Sequence, residues 1–239
     1  MKSLKYFRIE VREKILIAYF DNSAQSNCFG IACAKELQKI IKHVKKDKIE
    51  GLLLTSDQRV FCSGGNLSDY AKLKNKAQGI KINKEITKIL NEFNKMPVPT
   101  ICLVTGDCLG GGIEWISAFD TVYATPSALF GMWQRRIGLS WGWGGGHRLK
   151  LRVSKKNLMN LLLNANNFSS YQAQELGLID AIYTNELIFE KGLDFLKKQR
   201  DLPKIPFIKI KSGDIKHEQK IFQSLWMNPE HQRLLRRFR

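Results

Sequence analysis

Acidic residues are scarce: 22 Asp and Glu stand against 39 Lys and Arg, a formal charge of +17 over 239 residues. No run of about 18 apolar residues occurs, so no membrane-spanning helix is expected. The opening stretch MKSLKYFRIEVREKILIAYF breaks each apolar run with Arg, Glu or Lys and lacks the apolar segment of a secretion signal. Cysteines number five (Cys28, Cys33, Cys62, Cys102 and Cys108), an odd count without CxxC spacing. That disfavours a disulfide framework or a zinc site and predicts reduced, mostly buried thiols in a cytoplasmic protein. The four histidines, His43, His147, His217 and His231, are scattered without ligand spacing, so no metal is expected. Both GxxxxGKS/T and GxGxxG are absent, which removes the two commonest nucleotide-phosphate loops.

The composition present is that of a globular chain. Hydrophobic residues make up 44% and aromatics 10%, enough for a sizeable core. The length fits one or two domains. The excess lysine is dispersed over 42–48, 72–76, 155–156 and 197–198 rather than gathered on one face. Solvated helix surfaces explain such dispersion better than a nucleic-acid interface does, so nucleic-acid binding is disfavoured.

Short, nearly continuous apolar runs recur at Ile15–Phe20, Leu52–Thr55, Thr100–Val104 and Ile179–Tyr183, the pattern of strands covered on both faces. Helical spacing lies between them. Ile82, Ile86, Ile89, Leu90 and Phe93 form one stripe that must stop before Pro97 and Pro99. Leu37, Ile40 and Ile41 mark an earlier helix, and Ser169 precedes a short one, 171–176, closed by Gly177. Alternating strands and helices predict an α/β fold. From about residue 186 the pattern turns helical, split by Pro203 and Pro206. We therefore expect a core domain over 1–185 and a helical packing or oligomerisation region over 186–239.

Two glycine-rich turns each follow a predicted strand: Val60-Phe61-Cys62-Ser63-Gly64-Gly65-Asn66-Leu67, and the turn from Gly106 through Gly110-Gly111-Gly112 to Glu114 and Trp115. Such turns let backbone N–H groups approach a ligand, and two of them meeting would place two donors on one oxygen. Each taken singly is also compatible with a merely flexible turn.

The ordered set VFCSGGNL, MPVPTICLVTGDCLGGGIEW…FD, FGMWQRRIGLSWGWGGGHRL and SSYQAQELGLIDAIY resembles the enoyl-CoA hydratase/isomerase (crotonase) family. The likeness runs from about residue 10 to 185. It implies a spiral of ββα turns with a C-terminal helical region, assembled as a homotrimer or hexamer. The substrate it implies is an acyl-CoA or acyl-carrier-protein thioester, with no separate cofactor. The thioester carbonyl would lie between the amides of Gly65 and Gly111, each donor contributing roughly 3–4 kcal/mol to an enolate. Gly111 opens a predicted helix, where free N–H groups and the dipole favour an anion. The backbone around Cys62, Ser63, Gly64, Asn66 and Leu67 would border the adenine end of CoA by the same resemblance, and Gly110 is a further expected substrate-binding residue. Glu114 matches the first acid/base glutamate of the hydratases.

The departures bear on the reaction. Where hydratases carry a second glutamate after the FG step, this chain has Gln134, which exchanges no proton at neutral pH. Trp141 replaces a frequent proline and Asn66 a frequent Asp. Trp133, Trp141 and Trp143 would wall the acyl end with rigid apolar surface, or else serve as core or subunit contacts. An enolate hole, a dry wall and one proton-transfer group fit decarboxylation of a malonyl-type thioester. The segments IGLSWGWGGGHRL and SLWMNPEH also look more like the family's malonyl-type decarboxylases than its hydratases. Trp133, Gln134 and Trp141 are expected to bind the acyl group. Arg135 and Arg136 are weaker candidates for a substrate carboxylate, and Arg236 and Arg237 for CoA phosphates. His147 is expected to be structural.

Two other readings compete: a hydratase or isomerase using Glu114 alone, and a non-catalytic or nucleic-acid-binding relative that keeps only the fold. Because a first-turn carboxylate contributes little to folding, Glu114→Gln is expected to lower turnover while changing stability, read by thermal unfolding, by less than about 1 kcal/mol.

Overall fold

The structure, a computed structural model, describes residues 4–202 and 215–236. The apolar runs become the strands of a six-stranded sheet: β1 (Phe7–Arg12), β2 (Ile15–Phe20), β3 (Gly51–Thr55), β5 (Thr100–Val104), β7 (Thr121–Ala124) and β10 (Ala181–Ile182). They stand side by side in that order, with β1 antiparallel to β2 and every later pair parallel. Every residue of β3 and β5 is buried, as continuous apolar runs require when both sheet faces are covered.

A second, four-stranded sheet is built from three-residue strands: β4 (Val60–Cys62), β6 (Asp107–Leu109), β8 (Leu129–Gly131) and β9 (Asn167–Ser169). Each of β3, β5 and β7 is followed within a few residues by a short strand of this sheet and then by helix or helical turn. The chain therefore winds as repeated ββα turns, the α/β spiral expected from the sequence.

The helices pack on both faces. α1 (Ile31–Lys46) buries Leu37, Ile40, Ile41 and Val44, and α3 (Lys76–Asn94) buries Ile86, Ile89, Leu90 and Phe93. These stripes join β2, β3 and β5 in the main core. An aromatic cluster fills its centre: Trp115 lies fully buried, stacked on Phe29 at 4.3 Å and edge-on to Phe20 at 5.0 Å. On the other face of the sheet, α8 (Asn185–Asp201) sets Ile188, Leu193 and Leu196 against Ile15, Ile17, Leu53, Ile101 and Leu103.

The remaining helices are short or peripheral: α2 (Leu67–Ala71), α4 (Gly111–Ile116), α5 (Gly145–Leu149), α6 (Lys155–Asn164), α7 (Ser170–Glu175), α9 (Ile215–Leu225) and α10 (Pro229–Leu235). Ser169 caps α7 with a reciprocal Gln172 box, and Gly177 follows its end at φ +79°. The Pro203/Pro206 connection and Arg237 lie outside the described residues. All five cysteines are free and buried. Among the described residues no helix is long and apolar enough to cross a membrane.

Gly106 joins β5 of one sheet to β6 of the other, and a β-carbon there would stand 2.1 Å from the Arg59 carbonyl oxygen. That neighbour is backbone and cannot rotate away. Gly106→Ala is expected to cost about 1–3 kcal/mol, read as a lower urea midpoint with an unchanged slope.

Candidate active site

Strands β4, β6 and β8 are parallel neighbours, so their C-terminal ends emerge along one edge of the small sheet. That pairing brings together three segments distant in sequence. The turn after β4 carries Gly65, the turn after β6 carries Gly111 and Glu114 on α4, and the helical turn after β8 (Trp133–Ile137) carries Gln134. The first two turns touch. A β-carbon on Gly64, which sits at φ +102°, would lie 3.1 Å from the Leu109 oxygen and 3.2 Å from the Gly111 nitrogen. Only glycine permits both that dihedral and that approach.

Gly65 and Gly111 line one cavity of about 420 Å³, shared with Ser63, Leu67, Glu114, Gln134 and Trp143 among others. Phe29 N–H donates to the Gly64 oxygen at 2.7 Å, and Gly110 N–H to the Gly131 oxygen at 2.7 Å. Among the described residues the N–H groups of Gly65 and Gly111 themselves have no acceptor. Two unspent backbone donors at the wall of one cavity form the kind of site that holds a carbonyl oxygen as it gains charge.

Glu114 is not surface-like. It is 2% exposed, and its carboxylate accepts four hydrogen bonds. Oε1 receives Gln134 Nε2 at 3.3 Å and Gly142 N–H at 3.1 Å, while Oε2 receives Trp143 N–H at 2.8 Å and Gly145 N–H at 3.0 Å. A carboxylate offers about four acceptor directions, so all are engaged. Gly145 has to be glycine because a β-carbon there would fall 2.4 Å from Glu114 Cγ.

Arg148, buried on α5, completes the scaffold. Nε donates to Ser117 Oγ, Nη1 to Asn91 Oδ1, and Nη2 to the carbonyl oxygens of both Glu114 and Trp143. Burial pushes its pKa down to about 10, with Glu114 opposing the shift, so the guanidinium stays charged at neutral pH.

Several residues expected at the site lie elsewhere. Cys62 is fully buried behind the turn, its thiol pushed up to about 12 by burial. Asn66 caps α2, accepting from Asp69 N–H and donating to Asp69 Oδ2 and Gln25 Oε1. Neither lines the cavity. Trp141 turns away and packs on Gly146, where a β-carbon would meet its ring at 2.4 Å. Arg135, a candidate for a substrate carboxylate, donates to the Leu163 carbonyl at the end of α6, and His147, never expected at the site, is exposed on α5.

Ser63, Gly64, Leu67, Gly110, Trp133 and Gln134 do line the cavity. So does Arg136, its guanidinium 4.3 Å from the Trp133 ring centre. Trp143, read from the sequence as a wall of the acyl end or a core residue, lines the cavity as well, and six lining residues escaped sequence reasoning: Tyr70, Asn83, Ile137, Leu139, Ser140 and Gly142. Tyr70 Oη donates to Asn83 Oδ1 at 2.6 Å, and Trp143 Nε1 donates to the same oxygen at 3.0 Å. Burial raises the Tyr70 phenol pKa, keeping it protonated. Among the described residues no three His, Cys, Asp or Glu side chains gather as metal ligands.

Residues 10–213 match the family model described as Enoyl-CoA hydratase/isomerase. The fatty acid oxidation complex subunit alpha of Pseudomonas syringae pv. tomato is 29% identical over 184 residues, covering 75% of this chain and 25% of that protein. Its Pseudomonas putida counterpart is 28% identical over 184 residues, covering 75% and 26%. The chain thus spans about a quarter of the length of the curated relatives it matches. Among solved structures, an enoyl-CoA hydratase from Bacillus anthracis superposes with a TM-score of 0.89 at 21% identity, covering 98% of this chain and 96% of that one. One from Thermoplasma volcanium GSS1 gives 0.88 at 22% identity, covering 100% and 98%. At these identities the shared property is the fold.

The four donors on Glu114 overturn the expectation that its replacement is neutral for folding. A Gln side chain there would turn an NH₂ group toward backbone N–H donors. Glu114→Gln is expected to cost about 2–4 kcal/mol and to lower Tm by roughly 5–15 °C in a thermal melt.

Proposed function

The chain belongs to the enoyl-CoA hydratase/isomerase family, and from that premise we propose that it acts on an acyl-CoA thioester, forming an enolate held by the amides of Gly65 and Gly111. The observation that carries this reading is the pair of unspent N–H groups on one mostly apolar cavity. Within the thioester class we propose decarboxylation of a malonyl-type substrate. The bond between the α-carbon and its carboxylate breaks, CO₂ leaves, and the electron pair forms the enolate whose oxygen the two amides hold. A proton then returns to the α-carbon from water entering the cavity, and the hydroxide left behind combines with the released CO₂ as bicarbonate.

Two features support decarboxylation over hydration. Adding water across a double bond needs a group to activate the water, and Gln134 stands where the second carboxylate of a hydratase would be. Glu114 has every acceptor direction engaged by Gln134 and by the main chain of Gly142, Trp143 and Gly145, which leaves no lone pair for a water. On this reading Glu114 positions the cavity wall. A second reading, hydration or isomerisation with Glu114 as the only acid/base group, draws on the contact between Gln134 and Glu114 at the cavity wall.

Five buried thiols support a cytoplasmic location. Exposed Phe222 on α9, with Trp226 and Met227 in the turn after it, supports an assembly contact over 186–239, in a trimer or hexamer.

Offered methylmalonyl-CoA and crotonyl-CoA separately, the purified protein is expected to release CO₂ from the first and to leave the second unhydrated. Hydration of crotonyl-CoA without CO₂ release would transfer the assignment to the second reading. Inertness toward both, with no thioester binding, would remove the acyl-CoA reading altogether.

A further inference from the structure

We propose that Trp143 decides which acyl groups this cavity accepts, and that it restricts them to short chains; the inference rests on the acyl-thioester reading above. The indole of Trp143 lies across both glycines. Measured from where a β-carbon would stand, Gly111 has Trp143 Cζ3 at 2.4 Å and Cη2 at 2.6 Å, and Gly65 has Cζ2 at 3.4 Å and Cη2 at 3.8 Å. The benzene edge of one ring therefore spans the space between the two amide-bearing residues. A carbonyl held by both N–H groups has this ring as its immediate neighbour, and every further carbon of the acyl chain must be fitted past it.

The ring is held at both ends. At its base, the Trp143 N–H donates to Glu114 Oε2 and its carbonyl accepts from Arg148 Nη2. At its tip, Nε1 donates to Asn83 Oδ1 at 3.0 Å, with Tyr70 Oη at 3.4 Å. It packs at a tilt against Phe29, with centroids 5.7 Å apart, and only 4% of the residue is exposed. Moving the indole aside breaks the Asn83 bond and opens a void against the aromatic core, so the ring acts as a fixed wall. A fixed wall beside the reacting carbonyl discriminates by size: a short acyl group fits, and each added methylene must displace packed ring. Asn83 is a positioning residue for that wall, acting only through the indole.

The test compares dissociation constants for acetyl-, butyryl- and octanoyl-CoA, measured by titration calorimetry on the wild type, Trp143→Ala and Asn83→Ala. The wild type is expected to bind octanoyl-CoA at least roughly tenfold more weakly than butyryl-CoA, a difference of about 1.4 kcal/mol. In Trp143→Ala the order should reverse, because a chain released into an apolar cavity gains affinity with length. Asn83→Ala should narrow the ratio while keeping its direction, and it carries the test if Trp143→Ala does not fold. A loss of folding support alone would weaken all three ligands together and leave their ratios untouched. Ratios unchanged in both variants, or an equal gain for all three thioesters, would overturn the assignment; the equal gain would mean that the indole blocks the amide pair itself. If the wild type binds octanoyl-CoA as tightly as butyryl-CoA, the inference fails while the acyl-thioester reading stands. If it binds none of the three, both fall.

Discussion

Parallel pairing of three short strands is the constraint from which the site follows. Cys62 stands beside Cys108, Cys108 beside Phe130, and Leu109 beside Gly131. Parallel neighbours end on the same side, so the turns that leave them must meet. A slip of one residue in β6 would turn its buried side chains out of the core and separate Gly111 from Gly64. Register in the small sheet is held from outside it, by the longer β3, β5 and β7, whose parallel pairing sets where each following turn begins. The large sheet thus fixes the coordinates of a site to which it contributes no residue.

On that frame the cavity wall is organised around charge that has been buried and then satisfied. A carboxylate removed from water is costly unless hydrogen-bonded, and Glu114 meets that cost with three backbone N–H groups and the Gln134 amide. Arg148 binds the carbonyls of Glu114 and Trp143 and ties them to Asn91 of α3 and Ser117 beyond α4. The segment from Gly142 to Gly144 has no regular structure and runs into Gly145, the third glycine of four residues and the first of α5, yet polar bonds from two charged residues fix it on both sides. Its one large side chain, Trp143, is accordingly held as firmly as a core residue while facing the cavity.

Much of this was legible in the amino-acid pattern. Ile15–Phe20 and Thr100–Val104 read as strands because they are continuously apolar, and α3 read as a helix because its stripe persists from Ile82 to Phe93. The three-residue strands of the small sheet were not legible, being too short to show any period. The two glycine turns were recognisable in order, and the structure places both on one cavity. The misplaced residues share a cause. Trp141 and Trp143 are two apart, which on a strand would put them on one face, but the glycine-rich turn sends one toward Gly146 and the other toward Gly111. Glu114 reads as an exposed first-turn residue because a six-residue helix shows no amphipathic stripe when all of it is buried. Tyr70 and Asn83 sit on α2 and α3, outside every motif, and only the folded chain shows that they meet Trp143.

The wall and the occupied carboxylate bear on the proposed reaction in the same direction. Hydration needs a water held and polarised beside the double bond, whereas the space next to the amide pair is lined by indole and glycine, and the nearest carboxylate is engaged. Loss of CO₂ needs no bound water at the first step. It begins with an anion that an apolar cavity holds poorly and moves the charge onto an oxygen that two amides hold well, and the difference lies in hydrogen bonding. Among the described residues the amides of Gly65 and Gly111 have no acceptor to abandon, so on the proposed reading their full strength is available to the enolate oxygen. A hydratase of the same fold would need the donors now pointing at Glu114 to release it, and three of those four belong to the main chain of the loop that carries Trp143.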